Sequence, residues 1–468
     1  MKLKSILSKT NADIEISGIA YNSRLVKKGD AFVAIKGYRT DGHKYAKNAE
    51  ENGAVCVVCM HKIDGLKIPC IIVDDTRKAL AEMAEKYYDN PTSKLKLIGV
   101  TGTNGKTTVT YLVKNILEAN GEKVGLIGTN KNMIGQEEFH TERTTPEALE
   151  MMQLFDKMVK EGCAYAVMEV SSHSLDLHRV DGCHYEVGAF TNLTQDHLDF
   201  HGTMENYMNA KAKLFKMCKY GVINADDKYG NKIAEKASCA VATFGIDDGD
   251  LKAENIIYHE SGIEFDCEGM KIQLGIPGRF SVYNALTAIS ICKLCGISND
   301  IIEKAMKSAK GVKGRAEIVD CGGDYTLIID YAHTSDGLEN ILKSVKGFAK
   351  GRIVVVFGCG GDRDKTKRPK MGRVAGQLAD LCIITSDNPR SEEPSEIIRD
   401  ILAGMNDAIA EYVVIENRRD AIEYAIKHAK TNDVIILAGK GHEDYQVLKD
   451  KTIHFDEREV VKEILNKM

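Results

Sequence analysis

The stretch LIGVTGTNGKTT, residues 97–108, decides the fold. An apolar run of strand character enters a glycine-rich loop, and the following TTVTYLVKNILEAN, residues 107–120, has the spacing of an amphipathic helix. Strand, loop and helix in that order bring backbone amides together at a helix N-terminus, where they can converge on phosphate oxygens. Gly102 and Gly105 free the loop backbone, Lys106 is placed to neutralise charge at the β/γ position, and the Thr107 hydroxyl suits Mg²⁺. Residues Gly102, Thr103, Asn104, Gly105, Lys106, Thr107 and Thr108 are therefore the candidate nucleoside triphosphate site. The loop is a variant of G-x-x-x-x-G-K-[ST], because Val100 stands where the first glycine would be. A glycine-rich turn with a chance lysine is the plain alternative, and the flanking strand and helix weigh against it.

Outward from the loop, the apolar segments KLIGV, KVGLIG, YAVMEV and EVGAFTNL alternate with helix-length segments such as TPEALEMMQLFDKMV. This alternation predicts a mostly parallel sheet with helices on both faces. GRIVVVFG, ADLCIITS and NDVIILAG repeat the pattern further on, each expected to be followed by a helix, as in a Rossmann-like doubly wound unit. Breaks fall at YDNPTSKLK (88–96) and GVKGRAEIV (311–319). The expected organisation is α/β with three domains: residues 1–92, a central P-loop ATPase-type domain at 93–314, and a doubly wound domain at 315–468.

The 468 residues are enough for about three ordinary domains. With 43% hydrophobic and 28% charged residues the chain is globular rather than disordered, and 41 glycines against 7 prolines favour tight turns over Pro-rich linkers. A net charge of -5 provides no general attraction for nucleic acid or an anionic membrane. The longest apolar run, Ala54 to Met60, is far short of the roughly 20 residues of a spanning helix. The opening MKLKSILSKTNADIE lacks a signal-like apolar segment, so a cytoplasmic location is expected. The 13 scattered cysteines suit reduced thiols. The pairs Cys56/Cys59 and Cys292/Cys295 have no second ligand pair at zinc spacing and are expected to be small buried hydrophobes.

GVTGTNGKTT resembles the ATP loop of the Mur ligases, the ATP-dependent amide ligases of peptidoglycan precursor assembly, and of the related folylpolyglutamate synthetases. Further motifs resemble the Mur ligases that add the third amino acid: MEVSSHSLDLHRV (168–180), TNLTQDHLDFHGTMENYMNAKAKLF (191–215), PGRFSVYNA (277–285), DYAHTSDGLE (330–339), FGCGGDRDKTKRPKMG (357–372), SDNPRSEEP (386–394) and AGKGHEDYQ (438–446). The resemblance covers essentially the whole chain. It implies a monomeric ligase, without nucleic-acid or membrane partners, that phosphorylates the D-glutamate carboxylate of UDP-N-acetylmuramoyl-L-alanyl-D-glutamate. The amine of meso-diaminopimelate then attacks the acyl phosphate.

The same resemblance assigns residues to roles. ATP and Mg²⁺ are the implied cofactors, with CO₂ bound as a lysine carbamate. Lys106, Glu169, His197 and Lys211 form the catalytic set; Thr107 and Glu169 are implied as Mg²⁺ ligands, and His197 as a ligand of a second Mg²⁺ that carbamylated Lys211 contacts directly or through water. From the residues alone, QDHLDFH with His197 and His201 could suggest zinc, but no Cys or Glu partner completes that pattern. Asn284, Arg315, Asp330 and His333 match positions near the nucleotide. SGIAYNSRLVKKGDAFVAIKGYRTDGHKYAKNA (17–49) resembles the uridine-diphosphate segment and makes residues 1–92 the UDP-binding domain, with Ser23 and Arg24 as contacts and Asn22 where Asp is usual. Asp41, Gly42 and His43 are read as shaping that loop. Thr144, Thr145, Ser171 and Arg179 match the muramoyl-peptide contacts. Leu177, Lys313 and Ser335 depart from the family pattern.

For the amino acid, the resemblance names Arg363, Asp387, Asn388, Arg390, Gly439 and Glu443. An Arg fork at 390 matches the second carboxylate that distinguishes diaminopimelate from lysine, and Glu443 can accept from the distal ammonium. A surface ion pair of Arg390 with Glu392 or Glu393 is the plain alternative. Three other functions are weighed: an L-lysine-adding ligase, a folate ligase, against which the separate first domain speaks, and an ATP-binding scaffold without ligase activity.

Overall fold

Runs of aliphatic and β-branched residues closed by glycine or polar punctuation become strands buried on both faces, and three main sheets follow from them. The computed structural model describes residues 1–37 and 40–468, so Tyr38 and Arg39 of the uridine-diphosphate segment lie outside the described residues. Among the described residues the first sheet has four parallel strands in the order Gly18–Ala20, Asp30–Val33, Cys56–Cys59 and Cys70–Ile72. Cys56 and Cys59 are fully buried there as small hydrophobes, as is Cys292 in the helix Arg279–Leu294.

The second sheet has nine strands among the described residues, and Lys96–Thr101 runs parallel between Tyr185–Phe190 and Tyr165–Glu169. The helix Lys106–Ala119 buries Val109, Leu112, Val113, Ile116 and Leu117, a 3.6-residue stripe against the sheet, so the loop at 102–105 is held from both ends. One hairpin, Asn132–Ile134 with Glu137–Phe139, closes an edge in antiparallel fashion. The three-stranded antiparallel sheet Glu254–His259, Gly262–Cys267 and Met270–Leu274 is outside the expected alternation. Its signal lies in CEGM: Glu268 and Gly269 both have positive φ, 44° and 80°, as a type I′ hairpin turn requires.

The third sheet orders Glu317–Val319, Thr326–Asp330, Val434–Ala438, Ile353–Phe357, Leu381–Ile384 and Glu411–Val414, all parallel except the first pair. This is the expected doubly wound pattern, with one correction. NDVIILAG is followed by a hairpin, Tyr445–Val447 with Thr452–His454, and the helix comes only at Glu457–Leu465. Gly439 and Gly441 have positive φ, 117° and 54°, and turn the chain away from helical geometry directly after the strand. No helix among the described residues is long and apolar enough to cross a membrane.

A buried ion pair closes this third unit. Arg418 donates to Glu457 Oε1 and to the Ala438 carbonyl, each at 2.8 Å, with both side chains at 0% exposure. It ties the helix Arg418–Lys427, the end of the central strand and the last helix together. Replacing Glu457 by Ala strands the guanidinium away from water, and a buried pair broken from one side costs about 3–5 kcal/mol. Urea titration of Glu457→Ala is expected to show a loss of that size.

Candidate active site

The phosphate loop takes its shape from contacts that leave no room for side chains. At Gly102, φ +153°, a Cβ would meet Thr191 Oγ1 at 1.9 Å, and at Gly105, φ +88°, one would meet Asn284 Oδ1 at 2.4 Å. Asn192 braces the loop by accepting from Asn104 N at 2.9 Å, while its carbonyl accepts from Thr103 N at 2.9 Å. The first-turn amides of the helix that starts at Lys106 have no intrahelical carbonyl, so they face the loop as anion donors. Thr108 is buried in that turn.

Glu169 ends the neighbouring strand, buried at 1% exposure. Its Oε1 accepts from Thr107 Oγ1 at 3.0 Å and from Thr129 N at 2.8 Å, and its Oε2 from Thr129 Oγ1 at 3.0 Å. A hydroxyl and a carboxylate thus meet beside the phosphate loop, an oxygen pair of the kind Mg²⁺ takes. Among the described residues no three His, Cys, Asp or Glu side chains are grouped to hold a metal unaided. That fits Mg²⁺, which typically uses one or two carboxylates and completes its shell with phosphates and water.

Arg315 reaches the same point from the third unit, its Nη2 donating to Thr107 Oγ1 at 3.3 Å over the ring of Tyr331. Its Nε is buried with no partner among the described residues, a spare donor suited to an anionic ligand. Asp330 holds the turn beside it, accepting from Ala316 N at 2.7 Å and Ala332 N at 2.8 Å. Burial lowers the His333 pKa to about 4, and the ring bonds the Tyr331 carbonyl.

Lys211 is buried at 1% exposure and donates to the Gly102 carbonyl at 2.7 Å. Lys106 donates to the same oxygen at 2.9 Å and to the Thr103 carbonyl at 2.8 Å. Burial, and then the Lys106 charge, drive the Lys211 pKa well below its ordinary value. A buried amine held neutral is the form that adds CO₂. His197, at φ 51°, lies within the influence of both lysines, and burial lowers its pKa.

On the other side of Glu169, Thr145 Oγ1 donates to the Glu169 carbonyl at 2.8 Å and accepts from Ser171 N at 3.1 Å. Ser171 caps the helix Ser172–Asp176, and Thr144 Oγ1 lies 3.0 Å from Thr129 Oγ1. Arg179 donates to the Thr145 carbonyl at 3.1 Å and pairs with Glu147 at 3.0 Å. Glu147 also pairs with Arg77 at 3.2 Å, and Tyr21 donates to Glu150 at 2.5 Å, joining the first sheet to the second. Ser23 and Arg24 stand on the short turn Ser23–Leu25, where Asn22 Oδ1 accepts from Arg24 N at 3.1 Å, capping as the usual Asp would. Asp41 caps the next turn through His43 N, as expected for a loop-shaping residue.

The remaining residues follow the carboxyl ends of three adjacent parallel strands of the third sheet, Val434–Ala438, Ile353–Phe357 and Leu381–Ile384. Arg390 donates to the carbonyls of Gly361 at 2.9 Å and Asn388 at 3.4 Å. The ion-pair alternative fails, because Glu392 binds Arg368 at 2.9 Å and Lys365 at 3.1 Å, and Glu393 binds Lys449 at 3.0 Å. A Cβ at Gly360 would meet Arg390 Nη1 at 2.8 Å and Arg363 Cγ at 3.9 Å, so both arginines flank one glycine. Asn388 Nδ2 donates to Glu443 Oε2 at 2.9 Å, and a Cβ at Gly439 would meet Asp387 Oδ2 at 2.6 Å.

Sequence reasoning missed several supports. Thr129 orients Glu169, and Asn192 braces the loop. Asp336 ties the third unit to the loop by accepting from Asn104 Nδ2 at 2.8 Å and Thr194 Oγ1 at 2.7 Å. The acid in the first turn after DYAHT was its signal. Lys440, buried between Asp387 and Glu443, was passed over within AGKGHEDYQ.

Residues 15–88 match the family model described as Mur ligase family, catalytic domain, residues 100–292 the Mur ligase middle domain, and residues 314–441 the Mur ligase, glutamate ligase domain. The chain is 54% identical over 465 residues to the UDP-N-acetylmuramoyl-L-alanyl-D-glutamate–2,6-diaminopimelate ligase of Clostridium botulinum, covering 97% of this chain and 96% of that relative. A solved structure of an enzyme with the same name superposes with TM-score 0.72 at 30% identity, covering 100% of this chain and 99% of the other. The MurF ligase of Thermotoga maritima, solved with ADP, shares the fold at TM-score 0.65 and 20% identity, covering 98% of each chain. The chain belongs to the Mur ligase family.

Proposed function

We propose that this chain is the ATP-dependent ligase that joins meso-diaminopimelate to UDP-N-acetylmuramoyl-L-alanyl-D-glutamate in peptidoglycan precursor synthesis. The observation that carries the reading is the pocket in which Arg363 and Arg390 flank Gly360 beside Asp387, Asn388 and Glu443. Two arginines suit carboxylate ends, and the acidic side suits ammonium groups. Residues 1–92 are the UDP-substrate domain, 93–314 the ATP domain and 315–468 the amino-acid domain.

In this reading the first-turn amides, Lys106 and Arg315 hold the triphosphate while the D-glutamate carboxylate attacks the γ-phosphorus and ADP leaves. The diaminopimelate amine then attacks the acyl carbon, phosphate departs and the amine loses its proton. Asn284, Asp330 and His333 position the nucleotide, and Ser23, Arg24, Thr144, Thr145, Ser171 and Arg179 the UDP substrate. Thr107, Glu169, His197 and carbamylated Lys211 would hold Mg²⁺, which supplies neutralising charge to the phosphates. Neutral Lys211 adds CO₂ and releases a proton, which turns the buried amine beside the Lys106 ammonium into an anionic oxygen ligand. The nucleophiles come from substrate, so no protein thiol is acylated; burial raises the Cys359 pKa to about 12. The cytoplasm is the proposed location, since all thirteen cysteines are free.

Phosphate release from ATP with the UDP-muramoyl dipeptide is expected to be stimulated by meso-diaminopimelate and not by L-lysine. Stimulation by lysine alone would keep the ligase and overturn the pocket assignment; silence with both would favour a scaffold. Arg390→Ala is expected to lower kcat/KM for diaminopimelate about 100-fold, the scale of a lost charge-assisted contact, with far less effect on residual lysine turnover. Lys211→Ala is expected to lose activity by about 100-fold or more and to recover part of it with added acetate. Full activity without a carboxylate would remove the carbamate from the scheme.

A further inference from the structure

Lys440 is a fully buried lysine inside the amino-acid pocket that no step above uses. Its Nζ lies 3.1 Å from Glu443 Oε2, 3.3 Å from Asn388 Oδ1 and 3.9 Å from Asp387 Oδ1. The ring centres of Tyr445 and Phe455 stand 5.7 and 6.0 Å from the same Nζ, so the ammonium lies over aromatic faces as well as among these polar partners. Asn388 Oδ1 accepts from Lys440 and also from Val447 N at 2.9 Å. With its oxygen thus engaged, the carboxamide must turn its Nδ2 toward Glu443, to which it donates at 2.9 Å. Both the lysine and the amide bond the same carboxylate oxygen, Oε2.

We propose that Lys440 is the positioning residue of this pocket: it fixes Asn388 and Glu443 so that one Glu443 oxygen receives the distal ammonium of the incoming diamino acid. The inference rests on the reading of the chain as a diamino-acid ligase. Asp387 and Glu443 are two carboxylates in one partly dry site, and without a cation between them they repel. Burial and the Asp387 charge raise the Glu443 pKa, and Lys440 is the largest influence against them. Among the described residues, Arg418 and the phenols of Tyr331 and Tyr445 also feel the Glu443 charge. Removing the lysine charge should let Glu443 take up a proton as pH falls, and a protonated Glu443 no longer attracts an ammonium.

The test uses the full chain with ATP, the UDP-muramoyl dipeptide and meso-diaminopimelate, comparing wild type with Lys440→Met, which keeps the length and loses the charge. The KM for diaminopimelate is expected to rise about tenfold at about pH 8 and further at about pH 6.5, with kcat and the ATP KM within about twofold. The attacking amine titrates alike in both proteins, so the mutant-to-wild-type KM ratio isolates Glu443. Lys440→Arg, which keeps a cation, is expected to recover most of the loss. A ratio near one, or one that does not change with pH, would overturn the proposal. Wild type supplies a second test that needs no variant: its preference for diaminopimelate over 2-aminopimelate, which lacks the distal ammonium, is expected to persist down to about pH 6.5. Collapse of that preference as pH falls would also overturn the role of Lys440. If wild type instead responds only to L-lysine, the diaminopimelate reading fails, while the same KM ratios measured with lysine still judge Lys440.

Discussion

The carbonyl of Gly102 accepts from two lysines at once, Lys106 and Lys211, in a place largely closed to water. Two cations sharing one neutral acceptor repel each other, and the low dielectric of a buried site magnifies that repulsion. The protein can reduce it by keeping one amine neutral or by admitting anions, and a triphosphate and a carbamate are both anions. Much of the central unit serves this point. Gly102 and Gly105 lack side chains because Thr191 and Asn284 press against the loop, and the strands on either side of Lys96–Thr101 deliver Thr191, Asn192 and Glu169 to it.

The loop is also where separate units of the chain meet. Arg315 reaches Thr107, and Asp336 reaches Asn104 and Thr194, so the third unit touches the phosphate loop at two places with side chains of opposite charge. Arg77 and Tyr21 join the first unit to the second away from the loop, at Glu147 and Glu150 at the start of the helix Ala148–Lys160. The directional contacts at the loop sit beside a hydrophobic cluster that runs from the second unit, with Val282 and Leu286, into the third, with Leu338 and Ile341, so the two units share buried apolar surface as well as hydrogen bonds at the site.

The sequence made the sheets legible because their strands are long, apolar and separated by helices of 3.6-residue period. The three-stranded antiparallel sheet escaped because ENIIYH and GIEFDC alternate over short spans that lack a strong turn signal except Glu268-Gly269. Around the site, residues in fixed motifs could be named in advance, but their bracing partners could not. Thr129 and Asp336 act on Glu169 and Asn104 across 40 and 232 residues of chain, and no local pattern announces a contact at such separations. Arg390 illustrates the opposite limit: its role as a candidate carboxylate fork was legible, yet only the fold shows that Arg368 and Lys365 occupy Glu392 and leave Arg390 out of that ion pair.

The hairpin after Val434–Ala438 bears on the electrostatic character of the pocket. In a doubly wound unit a strand usually runs into a helix whose amino end points at the ligand, and the positive end of that helix favours anions. Here the chain inserts Tyr445–Val447 and Thr452–His454 before any helix begins, so Glu443 and Asp387 face the pocket without a helical dipole opposing them from that strand. A small change in connectivity thereby turns one corner of an anion-binding architecture into a site with room for a positively charged guest.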